Sequence, residues 1–412
     1  MITPATVYDD TPFTFGSSPW PKNEDDTYHG LTNILTAMKR STNTVAVKVL
    51  DDVGLDYAYH YAVNDMHLDT LVDEYELNGV NYTDKSYWSL ALGGMVRGVT
   101  IRDMAAAYAS IENKGTYREA RTYTKVLDSD GNVVLDNTQS SNENMSEKTA
   151  YYLTYMMEET VKDGTGKEAQ IEGIDTAGKT GTTSDDKDRW FAGYTSYYTG
   201  VVWCGYDQPQ EIVLEDDSIE NPASVLFNKV MTKVHEGKQN KSFEKPTSVI
   251  DVEVCQDSGS LVNDWCTKDI RGDRTVTIQL DGSDVPTSYC STHVETDICT
   301  AGDTLHVANE YCVSRGTVTQ YGLLNISRQF PIAGIVVADQ QYCVGTLVKR
   351  SGYSEARCDT MDPVNEVCTI HGAQRATVTV EYDDDDEYDD TDDGTEQDPT
   401  ESDPVVSMPA VQ

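Results

Sequence analysis

Gly173 to Thr180 reads GIDTAGKT and satisfies the expression G-x-x-x-x-G-K-[ST]. In a phosphate loop the backbone amides cradle phosphates, Lys179 meets the terminal ones and Thr180 holds magnesium. The flanks exclude that use. Such a loop leaves a buried strand and enters a helix, yet GKEAQIE upstream is too polar for a buried parallel strand and GTTSDDKDRW downstream has no apolar helical period. The same residues also read as an edge strand, KTGTT from Lys179 to Thr183. There a lysine ammonium lowers the cost of negative charge in a pocket. Gly181 lets an extended peptide approach and pair with the strand. Thr180 and Thr182 offer hydroxyls to a carboxylate, and the Thr182 amide can serve as one of two oxyanion donors. A second group is STN, Ser41 to Asn43. On a loop between two helices, Ser41 can relay a proton and Asn43 can hold a carbonyl. The competing use of Ser, Thr and Asn at that place is to cap a helix.

These groups need elements to hold them. Leu31, Ile34, Leu35 and Met38 fall at helical spacing, as do Ala46, Val49, Leu50 and Val53 with Gly54 as a stop. A third helix is expected through Ile101, Met104, Ala105 and Tyr108, with Thr100 as N-cap and Gly115 beyond its end. A fourth starts near Ser146, and a fifth carries Val225, Leu226, Val230, Met231 and Val234. Between these two, RWFAGYTSYYTGVVWCGYD predicts an antiparallel hairpin of core strands.

The chain has 412 residues, with 31 Lys and Arg against 70 Asp and Glu, a net charge of −39. That balance argues against nucleic acid and anionic membrane surfaces as partners. No apolar run reaches the ~18 residues of a membrane-spanning helix. Met1 to Pro4 carries neither the basic start nor the apolar run of a signal peptide. Asp383 to Asp403 is densely acidic with few large apolar side chains and reads as a disordered tail.

Four blocks together carry a resemblance: KRSTNTVAVKVLDDVG, then LALGGMVRGVTIRDMAAAYASIENKG, then AGKTGTTSDDKDRWFAGYT, then FNKVMTKVHEG. In that order and spacing they resemble the transpeptidase domain of class A penicillin-binding proteins, over about residues 1–240. The resemblance implies a D,D-transpeptidase that cross-links peptidoglycan stem peptides through a serine acyl-enzyme and is acylated by β-lactams. It implies an α+β fold, an antiparallel sheet with helices on both sides. It gives catalytic roles to Ser41, Asn43 and Lys179, and substrate-binding roles to Thr180, Gly181, Thr182 and Thr183. It calls for no cofactor and no metal. It also implies an extracytoplasmic location, membrane attachment only through an N-terminal anchor upstream beside a glycosyltransferase domain, and possible membership of a cell-wall synthesis complex.

The nucleophile motif S-x-x-K of such enzymes is not found in residues 1–40. SDDK (Ser184 to Lys187) and SFEK (Ser242 to Lys245) match the string, but neither sits at a helix start in an apolar setting. The expectation is therefore a fragment that retains half an active site. The alternative is a non-catalytic module that engages the cell wall. Beyond a linker at 241–250, the expected parts are a Cys-rich extension (251–375) and the acidic tail (376–412). Cys204, on an apolar strand, is expected to be a buried free thiol. The other eight cysteines, Cys255, Cys266, Cys290, Cys299, Cys312, Cys343, Cys358 and Cys368, are expected in disulfides if the region is extracytoplasmic. Zinc is the rival, since Cys290/His293 and Cys368/His371 each form C-x-x-H, but no C-x-x-C accompanies them. The stretches from Ser258-Gly259 to His293 and from Ser351-Gly352 to His371 resemble each other loosely, with different spacings. His29, His60, His67, His235 and His306 show no ligand spacing and are expected on surfaces or helices.

Overall fold

Four helices of this chain start where a side chain is able to cap them. In the computed structural model, Asn33, Thr100, Ser146 and Asn221 each accept from an amide in the first turn of the helix that follows. The described residues are 2–300 except 16, 17 and 217, together with 306–308, 312, 316, 318–326, 337–339, 342, 361–362 and 367–368. The expected acidic tail lies outside them.

The chain enters through β1 (Val7–Asp10), which pairs antiparallel with β2 (Gly30–Asn33). α1 (Ile34–Arg40) leaves β2 directly, and α2 (Asn43–Val53) and α3 (Leu55–Asn64) follow. Leu31 is therefore on a strand, not on the first helix as its spacing suggested. It stands opposite Asp9 in the strand pair, and the helix begins only after the Asn33 cap. Gly54 ends α2 at φ 87°, a conformation that favours glycine. It also opens α3, which the sequence reading did not separate.

α4 (Ile101–Glu112) and α5 (Glu147–Asp163) come next. Then β3 (Ala177–Thr182), β4 (Asp188–Tyr194) and β5 (Thr199–Gly205) form an antiparallel sheet in that order, with β3 at its edge. β4 and β5 are the expected hairpin. α6 (Pro222–Val234) closes the layer. Alternation along β4 sends Tyr194 to one face and Phe191 to the other. Tyr194 packs with Ala177, Ile111 of α4, and Ala150 and Met157 of α5. Phe191 packs with Phe227 and Met231 of α6. Helices therefore cover both faces, as the fold class requires.

The polar stretch before residue 250 is tied to this body, because the Phe243 ring packs edge-on against Tyr194 with centroids 5.6 Å apart. β6 (Val249–Cys255) and β7 (Thr275–Asp281) then pair antiparallel. Val254, Ile278 and Leu280 are fully buried in one cluster with Ile34, Leu35 and Ala37 of α1 and Tyr152 of α5. Residues 1–296 and 321–346 form one compact unit. Residues 297–320 and 347–412 form a second, in which His306–Val307 pairs antiparallel with Ile298–Cys299. Among the described residues, no helix is long and apolar enough to cross a membrane.

The disulfide expectation is corrected for three cysteines. Cys255, Cys266 and Cys290 are buried side by side, and each is a free thiol. Cys204 is also free, but half-buried rather than fully so. Cys343 and Cys358 lie outside the described residues.

Candidate functional site

α1 ends on Ser41, whose backbone sits in the left-handed region at φ 57°, ψ 46°. A non-glycine residue held there costs of order 1 kcal/mol and needs surroundings that impose it. Here the Ser41 N–H still bonds back to helix carbonyls at Ala37 and Met38, so the turn is tight and fixed. The capping use of this segment is not what the side chains do. The residue preceding α2 is Thr42, and it makes no side-chain cap bond. Ser41 Oγ instead accepts a 2.7 Å hydrogen bond from Lys179 Nζ of β3. Asn43 Nδ2 donates to the Lys22 carbonyl at 2.8 Å.

Residues 41 and 179 are thus brought together by the end of a helix and an edge strand. Lys179 Nζ also donates to the Thr180 carbonyl at 3.0 Å. Burial pushes the Lys179 pKa down to about 8, and the nearby Glu24 carboxylate offsets this only in part. A lysine tuned so close to neutrality can hold or release a proton as well as supply charge. Thr180 Oγ1 is paired with Thr165 Oγ1 at 2.9 Å. Thr182 is exposed at the strand end, its hydroxyl 3.3 Å from Arg189 Nη1. A Cβ on Gly181 would approach Trp190 to 3.3 Å, so the strand is kept bare there. Thr183 is turned to other work. Its hydroxyl donates to Asp188 at 2.9 Å and closes the loop into β4.

Thr165 belongs to no motif that the sequence singles out. Its amide donates to the Lys39 carbonyl at 3.0 Å while its hydroxyl meets Thr180, so one residue spans the end of α1 and the strand. Gly164 beside it is forced to be small: a Cβ there would lie 2.6 Å from the Lys39 carbonyl oxygen. The lysines of the two S-x-x-K strings are held by carboxylates. Lys187 is engaged by Asp185 at 2.9 Å and Lys245 by Asp251 at 3.0 Å.

Comparison with known proteins gives this geometry a family. Residues 1–232 match the family described as penicillin binding protein transpeptidase domain, and residues 245–295 match the penicillin-binding protein 1A C-terminal domain. Penicillin-binding protein 1A of Clostridium perfringens is 34% identical over 287 residues, covering 68% of this chain and 33% of that protein. Penicillin-binding protein 1F of Bacillus subtilis is 32% identical over 239 residues, covering 57% of this chain and 31% of that protein. The chain spans about a third of the length of these curated relatives. Among solved structures, penicillin-binding protein 1A from Haemophilus influenzae matches with a TM-score of 0.55 at 20% identity, over 70% of this chain and 46% of that one, a likeness of fold. The chain belongs to the penicillin-binding protein transpeptidase family, with a C-terminal segment of the 1A type.

Proposed function

We propose that this chain supplies the proton-relay and substrate-docking half of a serine D,D-transpeptidase that cross-links peptidoglycan stem peptides. The observation that carries the reading is the 2.7 Å contact between Lys179 and Ser41, set beside the edge strand β3. An extended stem peptide adds to that edge, with Gly181 allowing close approach. Thr180 and Thr182 receive its terminal carboxylate, Asn43 holds a backbone carbonyl, and the Thr182 amide donates to the oxyanion. Ser41 passes the proton of the attacking serine to the departing amine, and the depressed pKa of Lys179 suits it to sustain that relay. The nucleophilic serine comes from an S-x-x-K segment outside these residues. β-Lactams acylate the same serine. The protein works on the extracytoplasmic face, held to the membrane by a separate anchor, and within a cell-wall synthesis complex.

Exposure to a fluorescent penicillin tests this. The chain alone should take no covalent label. Joined to an S-x-x-K-bearing segment of a class A relative it should be labelled, and Lys179→Ala should slow labelling by a factor on the order of 100 or more. A β-lactam adduct found by intact-mass spectrometry on Ser184 or Ser242 of the chain alone would sink the assignment. So would labelling of the joined protein that is indifferent to Lys179.

A further inference from the structure

The three free thiols noted above do not face an apolar pocket. They face one histidine. His293 Nδ1 lies 3.3 Å from Cys255 Sγ, 3.5 Å from Cys266 Sγ and 3.5 Å from Cys290 Sγ. The four ligand atoms lie within 4.8 Å of one another, and all four residues are buried. With zinc–sulfur bonds of ~2.3 Å and zinc–nitrogen bonds of ~2.0–2.1 Å, a tetrahedral centre has sulfur–nitrogen edges of about 3.6 Å. The observed separations match those edges.

We propose that Cys255, Cys266, Cys290 and His293 bind one structural zinc ion. The tautomer of His293 supports it. Its Nε2 faces Asp269 Oδ2 at 2.9 Å and Asp257 Oδ2 at 3.2 Å, so Nε2 is the nitrogen held as a donor and Nδ1, on the sulfur side, is the one available to a metal. A carboxylate behind a ligating imidazole is the usual outer support of zinc. These carboxylates are not themselves metal ligands. Arg271 binds Asp257 at 2.6 Å and Asp269 at 2.8 Å, and Arg274 binds Asp257 at 2.9 Å, so their charge is already matched. Asn263 fixes the loops that carry the sulfurs. Its Nδ2 donates to the carbonyls of Cys290 and His293 at 2.7 and 3.2 Å, and its Oδ1 accepts from the Cys266 amide at 3.0 Å. Four protein ligands fill a tetrahedron, so the site is closed and does no chemistry. Each thiol gives its proton to solvent on binding. Thiolate and imidazole donors select zinc over the oxygen-seeking cations. Sequence spacing ranked this behind disulfides because the ligands come from three separate stretches of chain, with no C-x-x-C knuckle to announce them.

The test uses the full chain purified without chelator. Elemental analysis should find one zinc equivalent more in the natural sequence than in Cys266→Ser. Since that variant can fail to fold, a second measurement uses the unaltered chain: Cys255, Cys266 and Cys290 should resist alkylation until a zinc chelator is added. Replacement by cobalt should produce a thiolate-to-cobalt charge-transfer band. Equal zinc in both chains, alkylation of the three thiols at one rate with and without chelator, or a disulfide between any two of them would overturn the proposal.

Discussion

Lys179 is placed where its charge is least comfortable. Its folded pKa of about 8 lies below the 10.5 of an ordinary lysine. Between those values the unfolded chain binds a proton that the folded chain lacks, so stability rises with pH across that window. Below it, the folded state bears the full cost of a buried ammonium. The shift corresponds to about 3 kcal/mol, and the hydrogen bond to Ser41 returns roughly 1 kcal/mol of that on deletion. Lys179→Met should therefore stabilise the chain by about 2 kcal/mol at pH 7, and the advantage should fade as pH rises from 8 past 10.5. Denaturant midpoints measured across that range check it, and a variant less stable at pH 7 would count against it. At this scale the sequence was legible where a short string names its own chemistry, as in KTG and STN. Thr165 was not legible, because a hydroxyl between two glycines has no period and no motif. Its partner Thr180 becomes visible only when α1 and β3 meet.

Elements hold these residues through buried polar contacts as much as through apolar ones. Asp10, at the end of β1, is fully buried. Its carboxylate accepts from Asn23 Nδ2 and the His29 amide, both at 2.8 Å, and from the Thr44 hydroxyl. It thereby pins the segment carrying Lys22 to the first turn of α2, where Asn43 sits. Asp10→Ala removes the acceptor shared by three donors and should cost about 3 kcal/mol, with denaturant unfolding as the readout. A loss under ~1 kcal/mol would show that water replaces the carboxylate. The caps at Thr100 and Ser146 and the hairpin of β4 and β5 could be read beforehand, since they depend on neighbours in the chain. The assignment of Leu31 to a helix could not be avoided from spacing alone: it stands three positions before Ile34, and the strand partner that overrides the period lies at Asp9.

At the scale of the whole molecule, the transpeptidase part and the segment after residue 245 share one core. Besides the apolar cluster around Ile278, Tyr152 donates to Asp284 at 2.8 Å, and Lys148 pairs with the same carboxylate at 2.9 Å. Ile278→Ala should then cost about 2–5 kcal/mol and lower the melting of α5 and β7 together, in one calorimetric transition over residues 1–296. Two separated transitions would mean that the parts unfold independently. The sequence shows a polar linker at 241–250 but not that Phe243 within it and Val254 beyond it pack back on the body, since such contacts join residues far apart in the chain. The same separation has a cost in time. The outer side of β2 is finished by residues near the far end of this unit: Leu31 N–H donates to Asp339 at 3.0 Å across 308 positions, and Ala338 N–H donates to the Tyr28 carbonyl at 2.8 Å. Gly30 has no side chain to obstruct that arrival, for a Cβ there would overlap the Asp339 carboxylate. At the ~5–20 residues per second of synthesis, the edge waits roughly 15–60 s for its partner. Through that interval it is an open template for any passing strand, and a chaperone that shields extended segments has its natural moment there.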